Sequence, residues 1–169
     1  IPVTIFDEAN DACKTIAAEI AVLIRVKQQQ GTNAVLGLAT GSTPKKIYQE
    51  LIQMHREEGL SFKNVVTFNL DEYFPIEQDA PQSYWSFMHK HLFNHIDIDP
   101  KNIHIPSGKW PKEDIKKHCA EYDAAIIKAG GIDLQILGIG GNGHIGFNEP
   151  GSSIFSKTRM VNLENSTRL

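Results

Sequence analysis

Apolar positions along this chain follow two periods that alternate. Ala9, Cys13, Ile16, Ile20, Leu23 and Ile24 recur at helical spacing, and Asp7 stands before them as a candidate cap. Positions 34–39 form a short apolar run between turn residues, the mark of a buried strand. Pro44 starts a helix, since proline suits the first helical turn, with Ile47, Leu51 and Met54 on its inner face. A second strand is predicted over 65–70. Positions 81–96 read as a helix carrying Tyr84, Trp85, Met88, Leu92 and Phe93. Residues 103–105 form a short strand, and Ile115, Cys119, Tyr122 and Ile126 mark a further helix. Positions 132–139 form a third long strand, the most apolar and the one expected to be most buried.

Strands alternating with helices predict an α/β fold, doubly wound, with a mainly parallel sheet and helices on both faces. Near-continuous apolar strands suit a sheet covered on both sides. No repeat, low-complexity tract or linker divides the chain. Ligands of such sheets bind beyond the carboxyl ends of the strands. Three polar motifs follow strands directly, so all three are expected along one edge.

Bulk properties narrow the functional classes. The chain has 169 residues, 41% hydrophobic and 22% charged, with a formal net charge of -3. That length buries a core without disulfides or metal. The acidic balance gives no basic field for nucleic acid. No apolar stretch reaches the roughly 18 residues of a membrane span, and no secretory signal opens the chain. Cys13 and Cys119 read as separate reduced thiols. These features predict the cytoplasm. The first residue is Ile1 and the last residues show no stop signal, so the chain is expected to be an excised piece lacking its C-terminal part.

The first motif is Ala39-Thr40-Gly41-Ser42-Thr43-Pro44, between a strand and a helix. Helix-start N–H groups, the helix dipole and three hydroxyls together suit an anion such as phosphate. An ordinary capped turn has the same composition. The motif is neither a Walker loop nor a dinucleotide fingerprint. The second motif is Phe68-Asn69-Leu70-Asp71-Glu72-Tyr73. A carboxylate at a strand end is a candidate general base, and alternation lets at most one of Asp71 and Glu72 face a site. A solvated loop pair is the alternative.

The third motif runs from Gly138 to Pro150. Gly138, Gly140, Gly141, Gly143 and Gly146 frame Asn142 and His144, and Glu149 follows. Histidine moves protons near neutral pH, and an amide or carboxylate beside it sets its tautomer. This loop is the leading candidate for catalysis. His91 and His95 are four apart on a helix, but no Glu follows His91 and no third ligand is evident. No metal site is expected. His55, His89, His104 and His118 are assigned packing or surface roles, Trp85 and Tyr84 to the core, and Lys45 and Lys46 to the solvent.

With these residues in view, the chain resembles the glucosamine-6-phosphate deaminases almost from end to end. The resemblance is strongest at 38–44, 65–73, 83–88 and 138–150. The fold is shared with 6-phosphogluconolactonases and with sugar-phosphate-sensing domains, and the Asp-Glu-Tyr and Phe-Asn-Glu-Pro elements favour the deaminases. The resemblance implies conversion of glucosamine 6-phosphate to fructose 6-phosphate and ammonia, with no metal or organic cofactor. It implies that His144 opens the sugar ring, Asp71 moves the C2 proton, and Glu149 orients the histidine beside Asn142. Thr40, Gly41, Ser42 and Thr43 correspond to part of the phosphate cradle; Glu72, Gly141 and Gly143 are supporting. The partner implied is a small sugar phosphate, and residues 1–169 would form a single isomerase/deaminase domain. Relatives occur as monomers and as hexamers.

Two departures change the expectation. Asn142 stands where some relatives have Asp, and Asn carries no charge to support the histidine. Ser152, Ser153 and Arg159 correspond to an effector site for N-acetylglucosamine 6-phosphate, but Val161 replaces a basic residue there, so weak or absent activation is expected. Relatives run on for roughly 70 to 100 residues more, about half a typical domain, and supply an arginine and a lysine to the phosphate. The isolated chain is therefore expected to have little activity.

Overall fold

Four parallel strands and four helices organise the chain in a computed structural model that describes residues 2–163. The strands are β1 (Ala34–Leu38), β2 (Val65–Asn69), β3 (Ile103–His104) and β4 (Leu134–Gln135). Their order across the sheet is β3-β2-β1-β4, every pair parallel. The helices are α1 (Ala9–Gln29), α2 (Ser42–Glu58), α3 (Tyr84–His91) and α4 (Ile115–Lys128).

Strand alternation sends successive side chains to opposite faces, and both faces are covered. Ala34, Leu36, Leu38 and Val65 join the buried side chains of α1 and α2, among them Ala17, Ile20, Ile47 and Leu51. Val35, Val66 and Phe68 face the other way, against Tyr122, Ala125 and Ile126 of α4. Every residue of β1 and β2 is buried as a result, which is why these runs lack alternation in the sequence. The doubly wound, mainly parallel fold is as expected.

Element boundaries differ most in four places, while β1, β2 and β3 each end one residue earlier than expected. The α1 cap position is Glu8, not Asp7, and its side chain makes no cap hydrogen bond. α2 starts at Ser42, before Pro44; the first N–H groups of a helix have no internal partner, so proline is tolerated in that turn. The helix expected over 81–96 is shorter. Ser83 caps it by accepting from Ser86 N at 2.9 Å, and Leu92 (φ -145) leaves helical geometry before a 3₁₀ turn at Phe93–His95. That break buries both Leu92 and Phe93, neighbours that a continuous helix would point about 100° apart.

The fourth difference is the strand expected at 132–139. Only Leu134–Gln135 is strand, and both residues are half-buried. Leu137 and Ile139 are 51% and 78% exposed. Hydrogen bonds from Asp133 N to Val35 O and from Ile136 N to Gly37 O extend the pairing with β1 slightly. Among the described residues no strand pairs with the other edge of β4. Apolar composition alone does not bury a strand; a neighbour on each side does.

Tyr122 of α4 joins the helix to two strand ends. Its hydroxyl lies 2.7 Å from Asn69 O and 3.1 Å from His104 O. Tyr122→Phe should lower the unfolding free energy by about 1–2 kcal/mol, read as an earlier midpoint in urea. An unchanged midpoint would remove the hydroxyl as a tie.

Candidate active site

The chain runs outward from β1 to β2 to β3 and then returns to the far side of β1 as β4. That reversal opens a crevice at the carboxyl ends of β1 and β4, where ligands of open parallel sheets bind. The Thr40–Thr43 loop follows β1, the 138–150 loop follows β4, and Asp71 follows β2. The three motifs therefore lie along one edge of the sheet.

The 138–150 loop is held by its own backbone. Gly140 N donates to His144 O at 2.8 Å, Gly143 N to Gly140 O at 2.9 Å, and Ile145 pairs with Asn148 in both directions. A Cβ at Gly140 would lie 2.2–2.4 Å from the His144 imidazole, so the ring seats only on a glycine. Asn142 Nδ2 donates to Glu149 Oε2 at 3.0 Å. Its Oδ1 accepts from His144 N at 3.1 Å and lies 2.7 Å from His144 Nδ1. An ionised carboxylate only accepts, so Glu149 turns the amide with NH₂ toward itself and oxygen toward the ring. Nδ1 must then carry the proton, and Nε2 is the proton acceptor. Glu149, expected from the sequence to orient the histidine, reaches it through the Asn142 amide.

Asp71 and Glu72 diverge. Glu72 Oε1 accepts from Tyr73 N at 2.9 Å and Tyr84 N at 3.0 Å, and Oε2 accepts from Trp85 N at 3.1 Å. It thus satisfies two orphan donors at the head of α3. Burial pushes its pKa up, and these bonds oppose that rise. Asp71 turns toward the 138–150 loop. A Cβ on Gly146 (φ 58) would meet Leu70 Cδ2 at 2.5 Å and Asp71 Oδ2 at 3.1 Å. Glycine at 146 meets both demands, the positive φ and the close approach. Burial, with a contribution from the charge of Glu72, raises the Asp71 carboxyl from 3.8 to about 7.

Tyr84, assigned to the core from sequence, belongs to this edge. Burial, the Tyr73 hydroxyl and the charge of Asp71 push its phenol upward, and a hydrogen bond with Thr40 opposes them. It therefore links the first motif to the second. Tyr84 also sits 4.9 Å from Tyr73 and 5.9 Å from Phe147, ring to ring, and Tyr73 is 5.2 Å from Phe147. These rings dock the third motif onto the second. Ser83 as a helix cap was the available signal, since it places Tyr84 at the first helical position beside a strand end.

The remaining residues are distributed more widely. Arg159 NH2 donates to Ser152 Oγ at 3.3 Å, while Ser153 Oγ accepts from Phe155 N at 3.2 Å; Thr158, beside them, bonds Asp123 of α4. Lys46 is exposed, as expected, and reaches Asn10 at 2.8 Å, while Lys45 is half-buried and lies 5.4 Å over the Phe87 ring. His95 faces Arg56 at 3.2 Å and His91 packs on Phe87. Among the described residues no group of three His, Cys, Asp or Glu is placed to hold a metal ion. Cys13 and Cys119 are free thiols. No described helix is long and apolar enough to cross a membrane. Asp71 also borders a cavity on the α4 face, with Trp110, His118 and Tyr122, but neither His144 nor the Thr40–Thr43 loop lines it. Of the groups able to move protons, Asp71, Glu72 and His118 line this hollow, whereas His144 stands on the loop after β4.

Comparison with known proteins agrees with the doubly wound sheet and with the family that the three motifs resemble. Residues 7–168 match the family described as glucosamine-6-phosphate isomerases/6-phosphogluconolactonase, and the chain belongs to that family. It is 53% identical over 152 residues to a glucosamine-6-phosphate deaminase of Lysinibacillus sphaericus, covering 89% of this chain and 63% of that one. It is 49% identical over 165 residues to glucosamine-6-phosphate deaminase 2 of Bacillus subtilis, covering 98% and 64%. Among solved structures, a monomeric glucosamine-6-phosphate deaminase superposes with TM-score 0.93 at 41% identity, over 99% of this chain and 67% of that one. A 6-phosphogluconolactonase from Thermotoga maritima shares the fold with TM-score 0.65 at 24% identity, covering 79% of this chain and 58% of that one. The chain thus spans 63–64% of the length of these two curated relatives.

The half-buried Asp71 carboxyl ties chemistry to stability. Its pKa in the folded chain, about 7, lies above the ordinary 3.8. The stability tied to its bound proton is full below pH 3.8 and is lost as pH rises through about 7. Asp71→Asn should therefore unfold later than wild type at pH 8, by on the order of a few kcal/mol, with the gap closing below pH 4. Equal denaturation midpoints at pH 8 would remove the burial cost from Asp71.

Proposed function

We propose that this chain carries the acid–base residues of a glucosamine-6-phosphate deaminase acting in amino sugar breakdown. The observation that carries the reading is the Glu149–Asn142–His144 relay on a loop whose Gly146 packs against Asp71. The names of the relatives support the same substrate.

The cyclic sugar first needs a proton moved between O1 and O5. His144 Nε2, left free by the Asn142 contact, accepts and returns that proton. The C1 aldehyde then makes the C2 hydrogen acidic. Asp71 takes it and delivers it to C1, leaving an imine at C2. Water adds to the imine, ammonia departs, and fructose 6-phosphate remains. A base with a pKa of about 7 suits this transfer near neutrality. The phosphate meets the Thr40–Thr43 loop at the head of α2. Lactone hydrolysis on the same fold needs no C2 base, and a sugar-phosphate sensor needs neither base nor histidine. A carboxylate at Asp71, held against the loop that carries His144, favours the deaminase over both.

Incubation of the full-length protein with glucosamine 6-phosphate should release ammonia. Asp71→Asn should lower the rate at least about 100-fold, the scale of general base catalysis, without loss of folding. The wild-type rate should fall as pH drops through about 7, because protonation removes the base. Tight binding of the sugar phosphate without ammonia would sink the reading. The 169-residue chain should turn over far more slowly than a protein of its relatives' full length, because charge-assisted phosphate contacts are stronger than backbone and hydroxyl contacts. Equal kcat/KM for the two would overturn that expectation.

A further inference from the structure

Tyr48, in the second turn of α2, is 0% exposed. Its hydroxyl donates to the carbonyl oxygen of Ala39, nine residues earlier and 2.5 Å away. Burial pushes this phenol above its ordinary pKa, so it remains a donor throughout the working pH range. Ala39 is the residue between the last position of β1 and Thr40.

A trans peptide is planar, so a carbonyl and the N–H that follows it point in opposite directions. The Ala39 carbonyl is drawn inward to the phenol. The N–H of Thr40 must therefore point outward, away from the core. The cluster around Tyr48 is built from residues such as Ile20, Ile24, Ile47 and Leu51, whose side chains offer the carbonyl no substitute donor. The same helix thus contributes unpaired amides at its head and, one turn later, the hydroxyl that aims the loop before it.

We propose that Tyr48 is a positioning residue for phosphate recognition: its hydroxyl sets the Ala39–Thr40 peptide so that Thr40 N–H faces the phosphoryl group of the sugar. This rests on the deaminase reading and adds a specific buried contact to it. A phenylalanine would fill the same core volume, so the hydroxyl is what the loop requires.

The test is Tyr48→Phe in the full-length protein, with glucosamine 6-phosphate as substrate and inorganic phosphate as competitive inhibitor. KM and the inhibition constant for phosphate should both rise by about five- to tenfold, the equivalent of one neutral hydrogen bond, with kcat nearly unchanged. A lower thermal midpoint with KM and phosphate inhibition unaltered would make the hydroxyl purely structural and overturn the proposal. If the variant does not fold, the wild type decides: saturating inorganic phosphate should shift the Thr40 amide proton downfield in NMR, and an unmoved resonance would overturn the proposal. A wild type that neither releases ammonia nor binds phosphate defeats the functional reading itself. An active, phosphate-inhibited wild type with an unaffected Tyr48→Phe defeats this proposal alone.

Discussion

Pairing of β1 along both of its edges is the constraint on which the site depends. β2 holds one edge from Ala34 to Leu38, and β4 holds the other at Leu36 and Gly37. Because β4 crosses back, two loops distant in sequence leave the sheet side by side. The pairing also continues past the strand, with Leu70 N donating to Leu38 O at 3.1 Å. That bond fixes the backbone immediately before Asp71. Tyr122 accepts no freedom there either, since its hydroxyl ties the Asn69 carbonyl to α4. The candidate base is thus mounted on a strand end held from two directions.

The polar groups at this edge divide into satisfied and poised. Glu72 satisfies three backbone amides and joins the motif to α3. Asp71, its neighbour, is turned toward Gly146 and carries a raised pKa caused mainly by burial. A carboxylate in water is a poor base at neutral pH; one that loses solvent holds its proton more tightly and accepts one more readily. The fold loses stability by burying Asp71 and gains a group matched to proton transfer.

Close approach of backbone explains the remaining precision. Gly140 lets the imidazole lie against the loop, and Gly146 lets the loop lie against Asp71. Phe147 then inserts between neither strand nor helix but onto Tyr73 and Tyr84. Aromatic pairs at such separations add about 0.5–1.5 kcal/mol beyond the area they bury, a useful amount for a loop that is otherwise half-exposed.

The sequence by itself determined the α/β class, the parallel sheet with two covered faces, and the residues of the three motifs. Hydrophobic runs and glycine spacing are local properties, so they are legible without coordinates, and the resemblance to known deaminases assigned roles to Asp71, His144 and Glu149. Only the tertiary structure decided which groups meet. It put Asn142 between Glu149 and His144, separated Glu72 from Asp71, and moved Tyr84 from the core to the edge of the site. It also left 137 and 139 exposed where an apolar run suggested a buried strand. The physical reason is common to all four. Which atoms share a hydrogen bond, and whether a strand has neighbours on both sides, depend on contacts between segments far apart in the chain, and local periodicity carries no record of them.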